Sequence, residues 1–404
     1  MPDPARLRRA RLGVSGIFFL LGFTLAAWAT NLPTLQQRTG ASSAVIGLAI
    51  LVMGAGTVAG AQACGVLVDR VGARAITAAG VVVLLCAVNL LPAAHNGWSL
   101  ALIAALQGAG SGCADVAMNN QAAVVERGYG RPIMSGFHAL FSVGGAAGAG
   151  FAAILQSAGL SYPLILAAFS SACALIAAVA LPAMLPGRAP TTQAQRHAAT
   201  GGALPKIGRS VVLLGALAFA LMLSEGVAGN WGALEAVDRL HRSHAAASLA
   251  YGVFATCMTI GRLLVDRVSV AIGPVRTVRI GGAVAAAGVL LVVVSEFYPL
   301  TLLGWAVFGI GLAGGVPQVF TAAGNLPSAK PGAAMARVVG VGYVGEMGGP
   351  AVIGGVASLV GIAAAFLIPF ALCLASIGLA FGVGRREPPT LDTSAGTETR
   401  GALV

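Results

Sequence analysis

Charged side chains are scarce in this sequence: Asp, Glu, Lys and Arg together make up 9% of its 404 residues. Soluble domains carry about 25% charged residues. A chain of which 57% is hydrophobic has too few charged side chains to cover its apolar surface in water. A lipid solvent removes this difficulty, because apolar side chains can face hydrocarbon while helices satisfy their own backbone groups. The composition therefore predicts an all-α integral membrane protein.

Motifs for nucleotide, metal or covalent chemistry are also missing. The sequence has no Walker motif, no nucleophile elbow and no metal-ligand spacing, so we expect neither a cofactor nor an enzyme activity. Basic residues outnumber acidic ones by 24 to 13, which indicates charge in loops that flank a membrane rather than nucleic-acid binding. The cysteines occur in apolar runs without a CxxC pair, which predicts small buried residues and no disulfide; they are Cys64, Cys86, Cys113, Cys173, Cys257 and Cys373.

Twelve apolar stretches are long enough to cross a bilayer, which takes about 20 residues. We number them span one to span twelve. The first six are Gly13–Leu32, Ala44–Leu67, Ala75–Leu91, Trp98–Val124, Ile133–Ala158 and Tyr162–Met184. The second six are Val211–Leu234, Ala246–Val265, Val275–Val294, Leu300–Ala323, Ala333–Leu359 and Ile362–Val383. The expected organisation is a six-helix bundle (1–184), a cytoplasmic linker (185–210), a second six-helix bundle (211–384) and a disordered cytoplasmic tail (385–404).

The basic residues are distributed unevenly between the two sides of the predicted membrane. With both termini in the cytoplasm, only Arg38, Arg239 and Arg242 of the 24 lysines and arginines fall on the outer side. This count places Arg262 at the cytoplasmic boundary of span eight. Such an asymmetry is typical of membrane proteins that obey the positive-inside rule. It predicts a multi-pass protein of the cytoplasmic membrane with both termini inside.

The two halves share a short repeat. Span two ends in Gly65-Val-Leu-Val-Asp69-Arg70, and span eight ends in Arg262-Leu-Leu-Val-Asp266-Arg267. A duplicated pair of six-helix halves is typical of transporters that hold substrate between the halves. The first copy continues to Arg74 and resembles the G-x-x-x-D-R-x-G-R-R loop motif of the major facilitator superfamily, although Ala73 replaces a basic residue.

Further segments resemble the MosC/YbjJ-like branch of that superfamily. They are Asp115-Val-Ala-Met-Asn-Asn-Gln121, Gly130-Arg-Pro-Ile-Met-Ser-Gly-Phe-His138, the stretch from Tyr251 to Arg262, and the stretch from Gly342 to Pro350. The resemblance implies twelve helices in two pseudo-symmetric halves and alternating-access transport of a small-molecule substrate by a monomer. The branch includes a protein associated with rhizopine genes, which suggests sugar-like solutes.

The resemblance also implies a cytoplasmic gate. In the superfamily, the aspartate at the position of Asp69 closes the cytoplasmic side against the start of span eleven. We therefore assign gating roles to the residues of the two repeats, namely Asp69, Arg70, Arg74, Asp266 and Arg267. One residue departs from the branch, since Asn230 precedes Trp231 where an acidic residue is expected.

Few ionisable residues lie inside the predicted spans, and each is a functional candidate because it is costly in a bilayer. Asp115 shares a helical face with Ser111 and Asn119, which either lines a cavity or clamps span four to a neighbour. Asp115 and His138 could form a proton relay or a structural ion pair. Glu225 and Glu346 lie near the middle of spans seven and eleven. Glu346 is the first choice for the coupling proton (H+).

Polar and aromatic residues at matching levels of spans one and seven predict a substrate surface. A tryptophan ring can stack on a solute while its N–H binds the solute's edge, although tryptophans are also common at membrane interfaces. The predicted lining residues are Trp28, Asn31, Asn119, Asn230, Trp231 and Tyr343. Uptake and export by proton antiport both fit the sequence, and a non-transporting membrane sensor is a further alternative.

Overall fold

The structure is a computed structural model that describes residues 3–41, 43–187, 208–242, 244–326 and 331–384. Those residues are almost entirely helical, and no strand occurs among them. Most of the predicted linker (188–207) and the whole predicted tail (385–404) lie outside the described residues, as do the basic side chains predicted there.

Every predicted span corresponds to a helix or to an interrupted helix. Spans one to six are Pro4–Ala29, Ser43–Val71, Ala73–Leu90, Gly97–Tyr129, Met134–Ser157 and Tyr162–Ala183. Spans seven to nine are Arg209–Asp238, His244–Ile272 and Pro274–Val294. Span ten consists of Tyr298–Leu312 and Gly315–Gly324, span eleven is Pro331–Val360, and span twelve consists of Ile362–Ala365, Leu367–Leu379 and Phe381–Gly384. Two short elements, Leu32–Thr39 and Leu91–Ala93, lie in the loops after spans one and three.

Eleven of the described helical segments are long and apolar enough to cross a membrane. Span eleven is also long enough, with 30 residues, but its many glycines and Glu346 lower its hydropathy. Span ten is interrupted at Ala313 and Gly314, where two consecutive glycines and the nearby Pro317 weaken the helix. The interruption was not expected from the sequence.

Two buried apolar clusters organise the molecule. One is built by side chains of spans one to six, from Leu7 to Met184. The other is built mainly by spans seven to twelve, from Leu214 to Ala380. The halves meet chiefly where span two packs against span eleven and span five against span eight. These two helix pairs flank the centre of the molecule.

Span five contains a glycine-rich run from Gly144 to Gly150. Only one side of this run packs against a neighbouring helix. A Cβ on Gly144 would overlap the carbonyl oxygen of Phe19 in span one. Gly148, one turn later, is also in tight contact, since a Cβ there would lie 2.7 Å from the carbonyl oxygen of Phe23. Gly150 faces open space, with no heavy atom within 4 Å of a Cβ placed there. Small residues thus let spans one and five approach closely, as is usual for membrane helices.

We expect Gly144→Ala to destabilise the fold by about 1–3 kcal/mol, because the added methyl group overpacks the contact with span one. Gly150→Ala in the same helix serves as the matched control. It should leave the melting temperature unchanged or slightly raised, since alanine favours helix more than glycine does. Thermal unfolding of both purified variants in detergent measures the difference, and equal melting temperatures would contradict this packing.

The prediction that the cysteines form no disulfide is wrong for one pair. Cys64 of span two and Cys113 of span four form a disulfide, with their Cα atoms 5.2 Å apart. Spans two and four pack closely because glycines line their contact, with Gly60 against the backbone of Ala109 and Gly112 against that of Thr57. This close approach brings the two thiols together. The remaining cysteines, Cys86, Cys173, Cys257 and Cys373, are unpaired.

Candidate functional site

A cavity of about 180 Å³ lies between the two halves of the molecule. Its walls come from spans one to five on one side and from spans seven, eight, ten and eleven on the other. The structure places all the ionisable residues predicted for proton coupling on this one cavity: Asp115, His138, Glu225 and Glu346. Residues that are far apart in the sequence therefore lie around one cavity.

An ion pair that the sequence did not reveal lies in the cavity wall. One Nη of Arg262 donates to both carboxylate oxygens of Glu225, at 3.0 and 3.1 Å. Its other Nη donates to the hydroxyl of Ser142 in span five, at 3.0 Å. Arg262 is buried in the cavity wall and joins the two halves, a role that the sequence did not assign to it. Its position inside a predicted span was the signal that could have identified it.

Asp115 is buried, with 6% of its surface exposed. Its Oδ1 accepts a hydrogen bond from Nδ2 of Asn119 at 3.0 Å, while its Oδ2 has no partner among the described residues. Tyr343 of span eleven lies beside the same carboxylate from the opposite half. Gln107 and Ser111 extend the polar face of span four along the cavity. The polar face of span four thus lines a cavity. Gln107, two helical turns before Asp115, belongs to this face and was not predicted from the sequence.

His138 does not pair with Asp115 in this structure, contrary to the pairing expected for a relay or a structural ion pair. The imidazole ring packs between Phe18 and Phe320, with centroid distances of 5.1 and 5.6 Å. Its Nε2 is buried without a hydrogen-bond partner among the described residues. Two aromatic neighbours from opposite halves therefore hold the ring, while Asp115 is engaged by Asn119.

Glu346 lies near the middle of span eleven and lines the cavity. Its carboxylate is within electrostatic range of Asp115, Glu225 and Arg262. Among the described residues of the cavity, Arg262–Glu225 is the one ion pair, so Glu346 lacks a cationic partner there. The backbone of Glu346 is packed tightly against Gly226 of span seven, which fixes the depth at which its side chain enters the cavity.

Of the predicted substrate-lining residues, Tyr343 alone is in the wall of this cavity. Trp28 and Asn31 are buried at 2% and 1% exposure, and Asn31 donates to the carbonyl of Ala27. Trp231 donates its indole N–H to the carbonyl of Pro350. Asn119 is bound to Asp115, and Asn230 is exposed and donates to the carbonyl of Gly226. These five side chains therefore lie outside the wall of this cavity.

The two repeat aspartates bind opposite halves in a pseudo-symmetric manner. Asp69 of span two accepts hydrogen bonds from the backbone N–H groups of Gly332 and Ala333, at 2.8 and 3.2 Å. Asp266 of span eight accepts from the N–H groups of Ser135 and Gly136, at 3.2 and 3.0 Å. Each carboxylate therefore caps the start of a helix in the other half, span eleven or span five, where the helix dipole stabilises negative charge.

Residues at the end of span four strengthen this junction. Glu126 accepts hydrogen bonds from the N–H groups of Ile133 and Met134, both at 2.7 Å. Arg127 donates to the carbonyl of Gly324 at 2.7 Å, which ties span four to the end of span ten. The predicted gating arginines lie at the same side: Arg70 and Arg267 are exposed, and Arg74 is half-buried. The sequence did not assign a junction role to Arg127.

Comparisons with known proteins agree with this architecture. A family model described as Major Facilitator Superfamily matches residues 14–231 and 214–404. An uncharacterized MFS-type transporter of Yersinia pestis is 34% identical over 356 residues, covering 86% of this chain and 89% of that protein. Membrane protein MosC of Rhizobium meliloti is 28% identical over 356 residues, covering 88% and 85%. These matches confirm the resemblance inferred from the motifs.

One solved structure shows the same fold. The proton:xylose symporter XylE, bound to 6-bromo-6-deoxy-D-glucose, superposes with a TM-score of 0.77 at 13% identity, covering 94% of this chain and 96% of that chain. At this level of identity the likeness concerns the fold alone. The predicted all-α membrane fold is thereby confirmed.

Proposed function

Because the chain belongs to the Major Facilitator Superfamily, we propose that it is a secondary transporter that moves a small organic solute by alternating access. The observation that carries this proposal is the cavity between the halves, whose ionisable groups come from both sides. At about 180 Å³, it is smaller than the roughly 300–1,000 Å³ pockets that hold drug-sized ligands. The transporter works as a monomer in the cytoplasmic membrane, with both termini in the cytoplasm.

Proton coupling is the second part of the proposal. Glu346 carries the coupling proton, because its carboxyl group lies on the cavity and has no cationic partner among the described residues. A carboxyl group whose surroundings change between water and protein can bind a proton in one state and release it in another. Asp115, His138 and Glu225 are the neighbouring candidates. XylE, which has the same fold, is named as a proton:xylose symporter, so the fold is compatible with a proton as the coupling ion.

Alternating access follows from the way the halves are joined. Asp69 and Asp266 bind the opposite half by their carboxylates, so they stabilise the conformation in which the predicted cytoplasmic side is closed. Breaking these contacts lets the two six-helix bundles rock apart at this side. An interaction made in only one of two states shifts the equilibrium between them. Asp69 and Asp266, with the neighbouring arginines Arg70, Arg74 and Arg267, therefore form a cytoplasmic gate.

Spin labels test this motion without knowledge of the solute. Val71 and Val270 are exposed and lie near the gate ends of spans two and eight. Cysteines placed at both positions, in a background without other reactive thiols, report the distance between the halves. We expect two distance populations whose ratio changes with pH. A single distance at every pH would contradict alternating access.

We expect Asp69→Asn to increase the population of the longer distance by about 5- to 30-fold. A carboxylate at a partly buried helix start contributes about 1–2 kcal/mol, and the amide loses most of it. Asp266→Asn should act in the same direction, because its contacts are equivalent. Asp238→Asn, at an exposed position at the far end of span seven, is the control and should leave the ratio unchanged. An unchanged ratio in Asp69→Asn would remove Asp69 from the gate.

The proposed orientation is tested by reporter fusions. The positive-inside asymmetry predicts that residue 95 is outside and residue 197 is inside. Phosphatase activity is therefore expected from a fusion after His95 and green fluorescence from a fusion after His197. Fusions at Gly159 and Arg74 extend the alternation, because they should report the outer and inner side, respectively. Fusions after His95 and His197 that report the same side, or fusions at Gly159 and Arg74 that do so, would refute the orientation.

A further inference from the structure

The charges that line the cavity do not balance. Three carboxyl groups face it, from Asp115, Glu225 and Glu346, against one guanidinium from Arg262. That guanidinium is already bound to Glu225 and Ser142. Asp115 and Glu346 are therefore left without a cation among the described residues. A cavity of this kind attracts positive charge and repels anions.

The unsatisfied groups on span four are hydrogen-bond acceptors. Oδ2 of Asp115 and Oε1 of Gln107 are buried and accept no well-formed hydrogen bond from the described residues, although the hydroxyl of Tyr343 lies within reach of the Asp115 carboxylate. The two side chains are 6% and 3% exposed, belong to the same helix face and line the same cavity. Buried polar atoms are normally paired, and the partner of an unpaired acceptor must be a donor. Their arrangement indicates a ligand that brings N–H or O–H groups to this wall.

The opposite walls supply apolar contact. Phe18, Phe141 and Phe320 line the cavity together with Tyr343. The negative face of an aromatic ring attracts a cation, and this attraction is strongest where water is excluded. Methionine side chains, including Met118 and Met222, also line the cavity and can adapt to the shape of a ligand.

We propose that the solute carries a primary or secondary ammonium group, which donates hydrogen bonds to Oδ2 of Asp115 and to Oε1 of Gln107. Its apolar part packs against the rings of the opposite wall. A neutral alcohol would satisfy the acceptors but would leave the carboxylate charge unbalanced, and a quaternary ammonium would balance the charge but could not donate. This inference rests on the proposed transport function and assigns the substrate class to the same cavity.

The experiment measures binding of four probes of similar shape and different charge to the purified full chain. They are benzylamine, benzyltrimethylammonium, benzyl alcohol and benzoate, with xylose added as a neutral polyol. Thermal shift at increasing concentration gives the dissociation constants, because a bound ligand raises the melting temperature by mass action. We expect benzylamine to bind at least about 10-fold more tightly than each other probe, the factor typical of a charge-assisted hydrogen bond.

Variants locate the binding group. Asp115→Asn should weaken benzylamine binding by about 10- to 100-fold, because the charge is lost while the side chain keeps its shape. If this variant fails to fold, Gln107→Leu provides the second measurement, with a loss of about 3- to 10-fold for a neutral hydrogen bond. Glu296→Gln removes an exposed carboxylate away from the cavity and is the control.

Two results would overturn the ammonium assignment and leave the transport proposal in place. One is binding of xylose or benzyl alcohol as tightly as benzylamine, and the other is benzylamine binding that Asp115→Asn and Gln107→Leu do not weaken. If no probe of any class binds, the ammonium assignment also fails. The spin-label distances then decide the transport proposal separately, since they do not depend on any ligand.

Discussion

Glu346→Gln is expected to abolish pH-driven accumulation of solute in proteoliposomes, reducing it to the level of protein-free vesicles, while solute exchange at equal pH continues. Glutamine has the shape of a protonated carboxyl group but cannot titrate, so a cycle that moves a proton with or against the solute cannot be completed. Exchange needs no net proton movement. The effect is large because coupling is lost entirely rather than weakened.

The solute is first identified by thermal-shift screening. Its accumulation is then measured in proteoliposomes with and without a pH gradient. A membrane potential imposed at constant pH adds a second test, because it acts on any net charge moved at about 2.3 kcal/mol per charge per 100 mV. Glu296→Gln serves as the control and should accumulate solute normally. Normal accumulation by Glu346→Gln would exclude Glu346 as the coupling residue. Glu225, Asp115 and His138 would then be the candidates for the coupling proton.

Arg262→Gln is expected to destabilise the protein by about 2–3 kcal/mol. Removal of one partner from a buried ion pair costs about 3–5 kcal/mol, since the remaining charge stays buried without compensation. The carboxylate of Glu225 is 25% exposed, so solvent in the cavity reduces this cost. The hydrogen bond to Ser142 across the halves is lost as well. The variant should therefore unfold at a clearly lower temperature.

A double-mutant cycle separates the ion pair from the other contacts of Arg262. Glu225→Gln combined with Arg262→Gln should recover most of the lost stability, because two neutral amides can bond to each other where an unpaired carboxylate could not. Arg276→Gln, at an exposed position near the start of span nine, is the control and should change stability by less than about 0.5 kcal/mol. A double variant as unstable as Arg262→Gln alone would show that Arg262 acts through contacts other than Glu225.

The sequence determined the class of the protein and the order of its elements. Runs of apolar residues identify the spans, because a helix must present about 20 such residues to lipid. Intramembrane Asp115, Glu225 and Glu346 stand out for the same reason, since a charge in hydrocarbon is costly. The repeated LVDR segments identified the two aspartates proposed for the gate, and the structure places both at the starts of helices in the opposite half.

Only the tertiary structure decided which side of each span faces the cavity. In lipid, hydrophobicity does not distinguish the face that packs on another helix from the face that meets a lipid tail, so helix rotation is set by close contacts between small residues of distant spans. These contacts turned Arg262 into the cavity and Trp28 into the core of the first half. They also separated His138 from Asp115 and brought Cys64 to Cys113. Such contacts join residues that are tens to hundreds of positions apart, and no local pattern in the chain records them.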